Sequence, residues 1–213
     1  MQLDVYTATH QGKRDYQEDR FLANIEDQVF AIADGMGGHP NGHLAAQQAI
    51  DSLGKLASDT KQQDHISQAL RAAHNANEQA GDGRCTVVTG VVFDGTEVTI
   101  FNVGDSRTYL MSSEDNELHQ ITEDHQGIYG GITNCLGFDY SGADLFLLQA
   151  QPEDIFVLAS DGVFGAVNKN QLAKVLLAAF ESGLNPAEAL VDFGVKSMGK
   201  HADNATAIVI KVS

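Results

Sequence analysis

Basic residues are scarce in this chain: lysine and arginine number 13 against 29 aspartates and glutamates, a formal charge of −16. A surface that negative repels nucleic acid and anionic lipid, so neither is expected as a partner. Prolines are three and no segment is of low complexity, so no linker between two domains is expected. Apolar runs are short. Val87–Phe93 is strand-length, whereas a membrane span needs roughly 18 residues. The opening, MQLDVYTATHQ, has neither a basic nor an apolar stretch, which predicts no signal peptide. There are two cysteines, Cys85 and Cys135, outside any CxxC pattern or histidine cluster. Packed thiols are the simplest reading, with a disulfide or redox switch as the alternative. Together these absences predict a cytoplasmic protein.

The composition is that of a folded domain. Hydrophobic residues make up 43% and charged residues 20% of 213, enough for one sizeable core over residues 1–213. Alternation predicts a strand over Leu3–Thr9. A continuous apolar run predicts a buried one over Val29–Ala33. Helical spacing of apolar residues follows over Leu44–Leu56 and Ile66–Ala80. Further strands are predicted over Val87–Phe93, Glu97–Val103, Arg107–Met111, Leu145–Leu148 and Ile155–Ala159, with Asp94-Gly95 as a hairpin turn. Helices are predicted over Asn170–Glu181 and from the Asn185-Pro186 cap to about Met198, and a last strand over Ala205–Val212. Runs of strands alternating with helix pairs predict an α+β fold, two antiparallel sheets packed face to face with helix pairs outside.

Two of the buried strands end in Asp-Gly, at Asp34-Gly35 and at Asp161-Gly162. Asp203 stands just before the last strand, and Glu18 and Asp19 follow the first. Each alone is a common turn or surface carboxylate. If the strands lie side by side, these groups meet on one edge, where they repel one another unless hard cations compensate. All the candidate ligands are oxygens, which favours Mg²⁺ or Mn²⁺ over zinc. Two such ions about 3.5–4 Å apart suit in-line attack on phosphorus. Arg14 lies near the acidic pair. It could grip phosphate through its planar fork, or simply pair with Asp15 or Glu18 on the surface. His39 and His43 are spaced for a helical metal pair, but Pro40-Asn41-Gly42 between them forbids a helix. The glycines at 35–38 lack the Gly-Lys-Ser/Thr of a nucleotide loop.

Taken in order, these segments resemble the PP2C-like, metal-dependent protein phosphatases (the PPM family) in their compact bacterial form. Arg14-Asp15-Tyr16-Gln17-Glu18-Asp19 looks like the family's R-x-x-x-E-D segment, and Asp34-Gly35-Met36-Gly37-Gly38-His39 like its D-G-M-G-G-H loop. Gly104-Asp105-Ser106-Arg107, Thr122-Glu123-Asp124-His125, Ser160-Asp161-Gly162 and Asp203-Asn204 match its remaining motifs. The resemblance implies a four-layer αββα sandwich with a pair of Mn²⁺ or Mg²⁺ ions at one end. Asp34 would bridge the ions, and Asp161 and Asp203 would complete the shell of one. The Gly35 carbonyl would bind the other, with Glu18 or Asp19 reaching it directly or through water. Arg14 would hold the substrate phosphate, and Asp124 with Asp161 would form a weaker third site. Asp105 and Arg107 are read as structural.

The implied activity is hydrolysis of phosphoserine and phosphothreonine in protein targets of a serine/threonine kinase, by attack of a metal-bridging hydroxide. Many eukaryotic members carry a histidine where this chain has Met36, so proton delivery is expected to fall to water, with His39 as the nearby side chain. The stretch from residue 126 to 137 is short, which predicts a truncated flap and a more open cleft. A catalytically silent phosphoprotein-binding relative is the rival reading, and a dead homologue should have lost Asp34, Asp161 or Asp203. A calcium-binding scaffold would show repeated D-x-D-x-D-G loops, and none appears.

Overall fold

The computed structural model describes residues 1–56, 63–115 and 117–213. Among the described residues, ten strands pair antiparallel in two five-stranded sheets. One sheet runs β1 (Leu3–His10), β10 (Ala205–Val212), β9 (Ile155–Ala159), β6 (Arg107–Met111), β7 (Leu118–Gln120). The other runs β2 (Arg20–Asn24), β3 (Val29–Gly35), β4 (Thr86–Asp94), β5 (Glu97–Val103), β8 (Asp144–Gln149). Helices α1 (Gly42–Leu53) and α2 (Gln63–Gln79) cover the β3 sheet, while α4 (Lys169–Glu181) and α5 (Pro186–Met198) cover the β10 sheet. The order α-β-β-α is the predicted sandwich.

The apolar runs are continuous because the central strands are buried on both faces. Along β3, Val29, Ala31 and Ala33 point toward α1 and α2, while Phe30 and Ile32 point between the sheets. Along β9, Ile155, Val157 and Ala159 face the α4–α5 pair, and Phe156 and Leu158 face inward. The period of two thus divides each run between two cores. The inter-sheet layer includes an edge-to-face pair, Phe93 against Phe156, with centroids 5.2 Å apart.

Helix boundaries follow their caps. Asn185 accepts from the N–H groups of Ala187 and Glu188 with Pro186 in the first turn, as its sequence predicts. Asn168 and Gln171 cap α4 reciprocally, which starts it one residue before the predicted Asn170. Four short elements were not predicted among the described residues: β2, β7, α3 (the single turn Asp161–Phe164) and a 3-10 turn over Gly199–His201. The Asp161-Gly162 step is therefore the start of a helical turn rather than a plain turn.

Candidate active site

The carboxylates sit on chain segments that leave the two sheets at the same end of the sandwich. Asp34 is the penultimate residue of β3, paired with Val87. Asp161 follows β9 and Asp203 precedes β10, so these two belong to the opposite sheet. The glycine after each Asp-Gly aspartate permits a close backbone approach. A Cβ on Gly35 would collide with the backbone of Gly42 at the start of α1, and one on Gly162 with the backbone of Asn204. These glycines let α1 and the β10 lead-in close on the site.

Arg14, Glu18, Asp34, Gly35, Asp161 and Asp203 line one hollow of about 210 Å³, with Met36, Gly37, Val87, Asp105, Ile132 and Asn204. Arg14 Nη2 donates to Asp203 Oδ2 at 2.5 Å. Arg14 is therefore not a surface partner of Asp15 or Glu18; its head reaches across the mouth of the hollow. Asn204, 4% exposed, ties the Arg14 segment to the last strand. Its Oδ1 accepts from the Glu18 N–H at 2.8 Å, and its Nδ2 donates to the carbonyls of Gln11 and Tyr16 at 2.8 and 2.9 Å.

Asp19 lies behind the hollow rather than on its wall, and is 3% exposed. Its Oδ2 accepts from Ser160 Oγ at 2.9 Å and from Thr206 Oγ1 at 2.7 Å. Its Oδ1 is buried with no hydrogen-bond partner among the described residues. The expectation that Glu18 and Asp19 share one role thus separates: Glu18 faces the hollow, and Asp19 stands beneath Asp34.

The crowding raises the acids. Asp34 is pushed well above the usual carboxylate range, first by burial and then by Asp19, Asp161, Asp105 and Asp203. Asp161 is raised to about 7 by burial, then by Asp203, Asp105 and Asp19. Asp19 rises to about 6, again mainly by burial. Carboxyls that bind protons this tightly when alone are those a divalent cation would relieve. The donors are oxygen only, and Asp19 has a buried oxygen with no partner among the described residues. This set fits hard divalent ions such as Mn²⁺ or Mg²⁺.

Two residues lie elsewhere than the sequence reading expects. Asp124 does not line the hollow: Arg107 closes on its carboxylate, Nε to Oδ1 at 2.9 Å and Nη2 to Oδ2 at 2.6 Å. The guanidinium also lies 4.0 Å from the centroid of Phe164, so Arg107 is a buttress as predicted and Asp124 is its partner. Asp105, read as structural, does line the hollow. It accepts from Gln126 Nε2 at 2.8 Å, and its own pKa is raised by burial. The signal was available: Gly104-Asp105 follows β5 directly, the same strand-end placement that singled out Asp34 and Asp161.

The segment after His125 forms a small loop. Gln126 bridges Ile132, and the Gly127 N–H donates to the Gly131 carbonyl at 2.8 Å. Ile128 and Tyr129 at its tip are fully exposed, while Ile132 reaches the hollow.

A two-sheet αββα sandwich with acids from both sheets converging at one end is the architecture of a metal-dependent phosphatase. The family model described as protein phosphatase 2C matches residues 8–193, and the chain belongs to that family. The serine/threonine protein phosphatase PstP of Mycobacterium tuberculosis is 29% identical over 92% of this chain, which spans only 44% of PstP. The serine/threonine phosphatase stp of Listeria welshimeri is 26% identical over 79% of this chain and 81% of its own length. A crystal structure of PstP superposes over the whole of both chains with a TM-score of 0.88 at 26% identity. That of the PstP catalytic domain in complex with two manganese ions gives 0.86 at 27% identity, covering 99% of each chain. Among the described residues, no helix is long and apolar enough to cross a membrane.

Proposed function

We propose that this protein is an active serine/threonine protein phosphatase that hydrolyses phosphoserine and phosphothreonine with two divalent cations. The observation that carries the reading is the joint placement of Glu18, Asp34, Asp161 and Asp203 in one hollow with Arg14 across its mouth. Asp34, between the two sheets, would touch both ions. Asp161 and Asp203 would hold one, and the Gly35 carbonyl and Glu18 the other. Such cations supply Lewis acidity, which neutralises the carboxylates and the phosphate and makes water a stronger nucleophile.

The side chains around them bind and orient. Arg14 would turn its fork toward the non-bridging phosphate oxygens while Asp203 anchors its far edge. Asp19 backs Asp34 and is itself fixed by Ser160 and Thr206. Asp105, in place of Asp124, is the residue we assign with Asp161 to a weaker third ion. Met36 carries no proton, and His39 Nδ1 is engaged with the Gly83 carbonyl at 3.2 Å, so we assign protonation of the leaving group to solvent. The 126–137 segment we read as a truncated flap. Retention of Asp34, Asp161 and Asp203 favours the enzyme over a silent relative. We place the protein in the cytoplasm, acting on targets of a serine/threonine kinase.

The test is p-nitrophenyl phosphate hydrolysis with Mn²⁺, Mg²⁺ or EDTA, beside Asp34→Asn and Asp161→Asn. Metal-dependent turnover lost in both variants is expected. A folded protein inert with both metals and with phosphopeptides would overturn the reading.

A further inference from the structure

Two thiols that the proposed chemistry does not use sit behind the Asp34–Met36 loop. Cys85 is fully buried and Cys135 is 4% exposed. Each stands one residue before a member of the Thr86–Leu136 antiparallel bridge, whose N–H···O bonds measure 3.1 and 2.9 Å. Side chains alternate along paired chains, so both thiols project to the same face as diagonal neighbours. They meet there with Val87, against Met36 and Ile132.

The Cys85 thiol donates to Met36 Sδ at 3.3 Å and packs in one cluster with Cys135. The Cys135 N–H donates to the Asp139 carbonyl at 2.7 Å, which fixes the backbone that carries the second thiol. Cys85 holds the Cys135 thiol below its ordinary range, and Cys135 pushes that of Cys85 above it. Cys135, the less buried of the two, is taken as the attacking thiol, and the thiolate is the reactive form. Met36 and Ile132, which border the pair, also line the hollow, the side from which a small oxidant would come.

We propose that Cys85 and Cys135 are a redox pair, closing to an intramolecular disulfide under hydrogen peroxide and reopening under thiol reductants. The Cys135 thiolate attacks one peroxide oxygen, the O–O bond breaks, and a sulfenic acid and hydroxide result. The Cys85 sulfur, losing its proton, attacks the sulfenic sulfur, and the hydroxyl leaves as water. Two thiols and one peroxide give one disulfide and two waters, with the electron pair passing from sulfur to oxygen. The bond would reach the loop that carries Asp34. The Cys85 carbonyl accepts the Met36 N–H at 3.1 Å, and Thr86 Oγ1 donates to the Asp34 carbonyl at 2.7 Å. A disulfide withdraws Cys85 Sγ from Met36 and joins β4 to the end of the 126–134 loop.

The experiment is peroxide treatment of the reduced full chain, read by intact mass and non-reducing peptide mapping. The expected result is loss of two hydrogens, a Cys85–Cys135 cross-linked peptide in monomeric protein, and reversal by dithiothreitol. Cys85→Ser should leave Cys135 trappable by dimedone as its sulfenic acid, and Cys135→Ser should label about 10-fold more slowly at Cys85. No cross-link, intermolecular disulfides alone, or equal labelling of the two single variants would overturn the proposal. Mass is the readout, so the result stands apart from whether the protein hydrolyses phosphate. Metal-dependent turnover that is the same in the oxidised and reduced forms would overturn the link to the Asp34 loop.

Discussion

Arg14 has two claims on its guanidinium, Asp203 at 2.5 Å and the phosphate of a substrate. Arg14→Ala should lower kcat/KM for p-nitrophenyl phosphate about 10- to 100-fold, the range of a charged hydrogen bond of about 1.5–3 kcal/mol. The loss should fall mainly on KM, with metal dependence kept. Arg14→Lys should recover only part of it, because an ammonium cannot offer a fork. The carboxyls make a second prediction. Asp161 and Asp19 are raised from 3.8 to about 7 and about 6. Between the ordinary and the raised values the folded chain holds protons that the unfolded chain releases. Stability of the metal-free protein therefore falls as pH rises through this window. Its thermal midpoint should be higher near pH 5 than near pH 8, by a margin that Asp161→Asn reduces. Mn²⁺ should restore the midpoint near pH 8, where protons no longer compete with it. A metal-free midpoint that climbs toward pH 8 would contradict the crowding of these acids.

The buried Asn204 amide ties the loop of residues 11–18 to the lead-in of β10, beside the Lys13–Ala202 backbone bond and the Arg14–Asp203 pair. Asn204→Ala would leave the Glu18 N–H without its acceptor and the Gln11 and Tyr16 carbonyls without their donor. A loss of about 1–3 kcal/mol in denaturant unfolding is expected, with a drop in turnover because Arg14 and Glu18 ride on that loop. Elements with two buried faces or strong caps were legible from sequence: β3, β4, β9, β10 and α5 each announce themselves by an apolar run or an Asn-Pro start. What was not legible depends on neighbours. β2 (Arg20–Asn24) is an edge strand whose residues are exposed or half-buried, so no run marks it. β7 is three residues long and exists through its pairing with β6. The four-residue α3 starts on an Asp-Gly that reads equally well as a turn. Of the residues that line the hollow, Asp34, Asp161, Asp203, Glu18 and Arg14 are picked out by motif. The exchange of Asp124 for Asp105 is not, because only tertiary structure shows which acid Arg107 takes.

Across the whole molecule the excess of acid, 29 against 13, sets a field that any phosphoprotein must cross. Phosphopeptides with lysine and arginine beside the phosphoserine should show a higher kcat/KM than acidic-flanked ones at low ionic strength. Raising salt should narrow that gap as the Debye length shrinks to about 8 Å at physiological strength. A gap unmoved by salt would locate the preference in direct contacts instead.

The acids come from different sheets, Asp34 from one and Asp161 and Asp203 from the other. Their spacing is therefore a reading of how the two sheets lie against each other, as the jaws of a caliper report the thickness between them. The shim that sets this gap is the inter-sheet layer around Phe93 and Phe156. A core residue far from any ligand, trimmed by a few atoms, would then retune the grip on a cation it never touches.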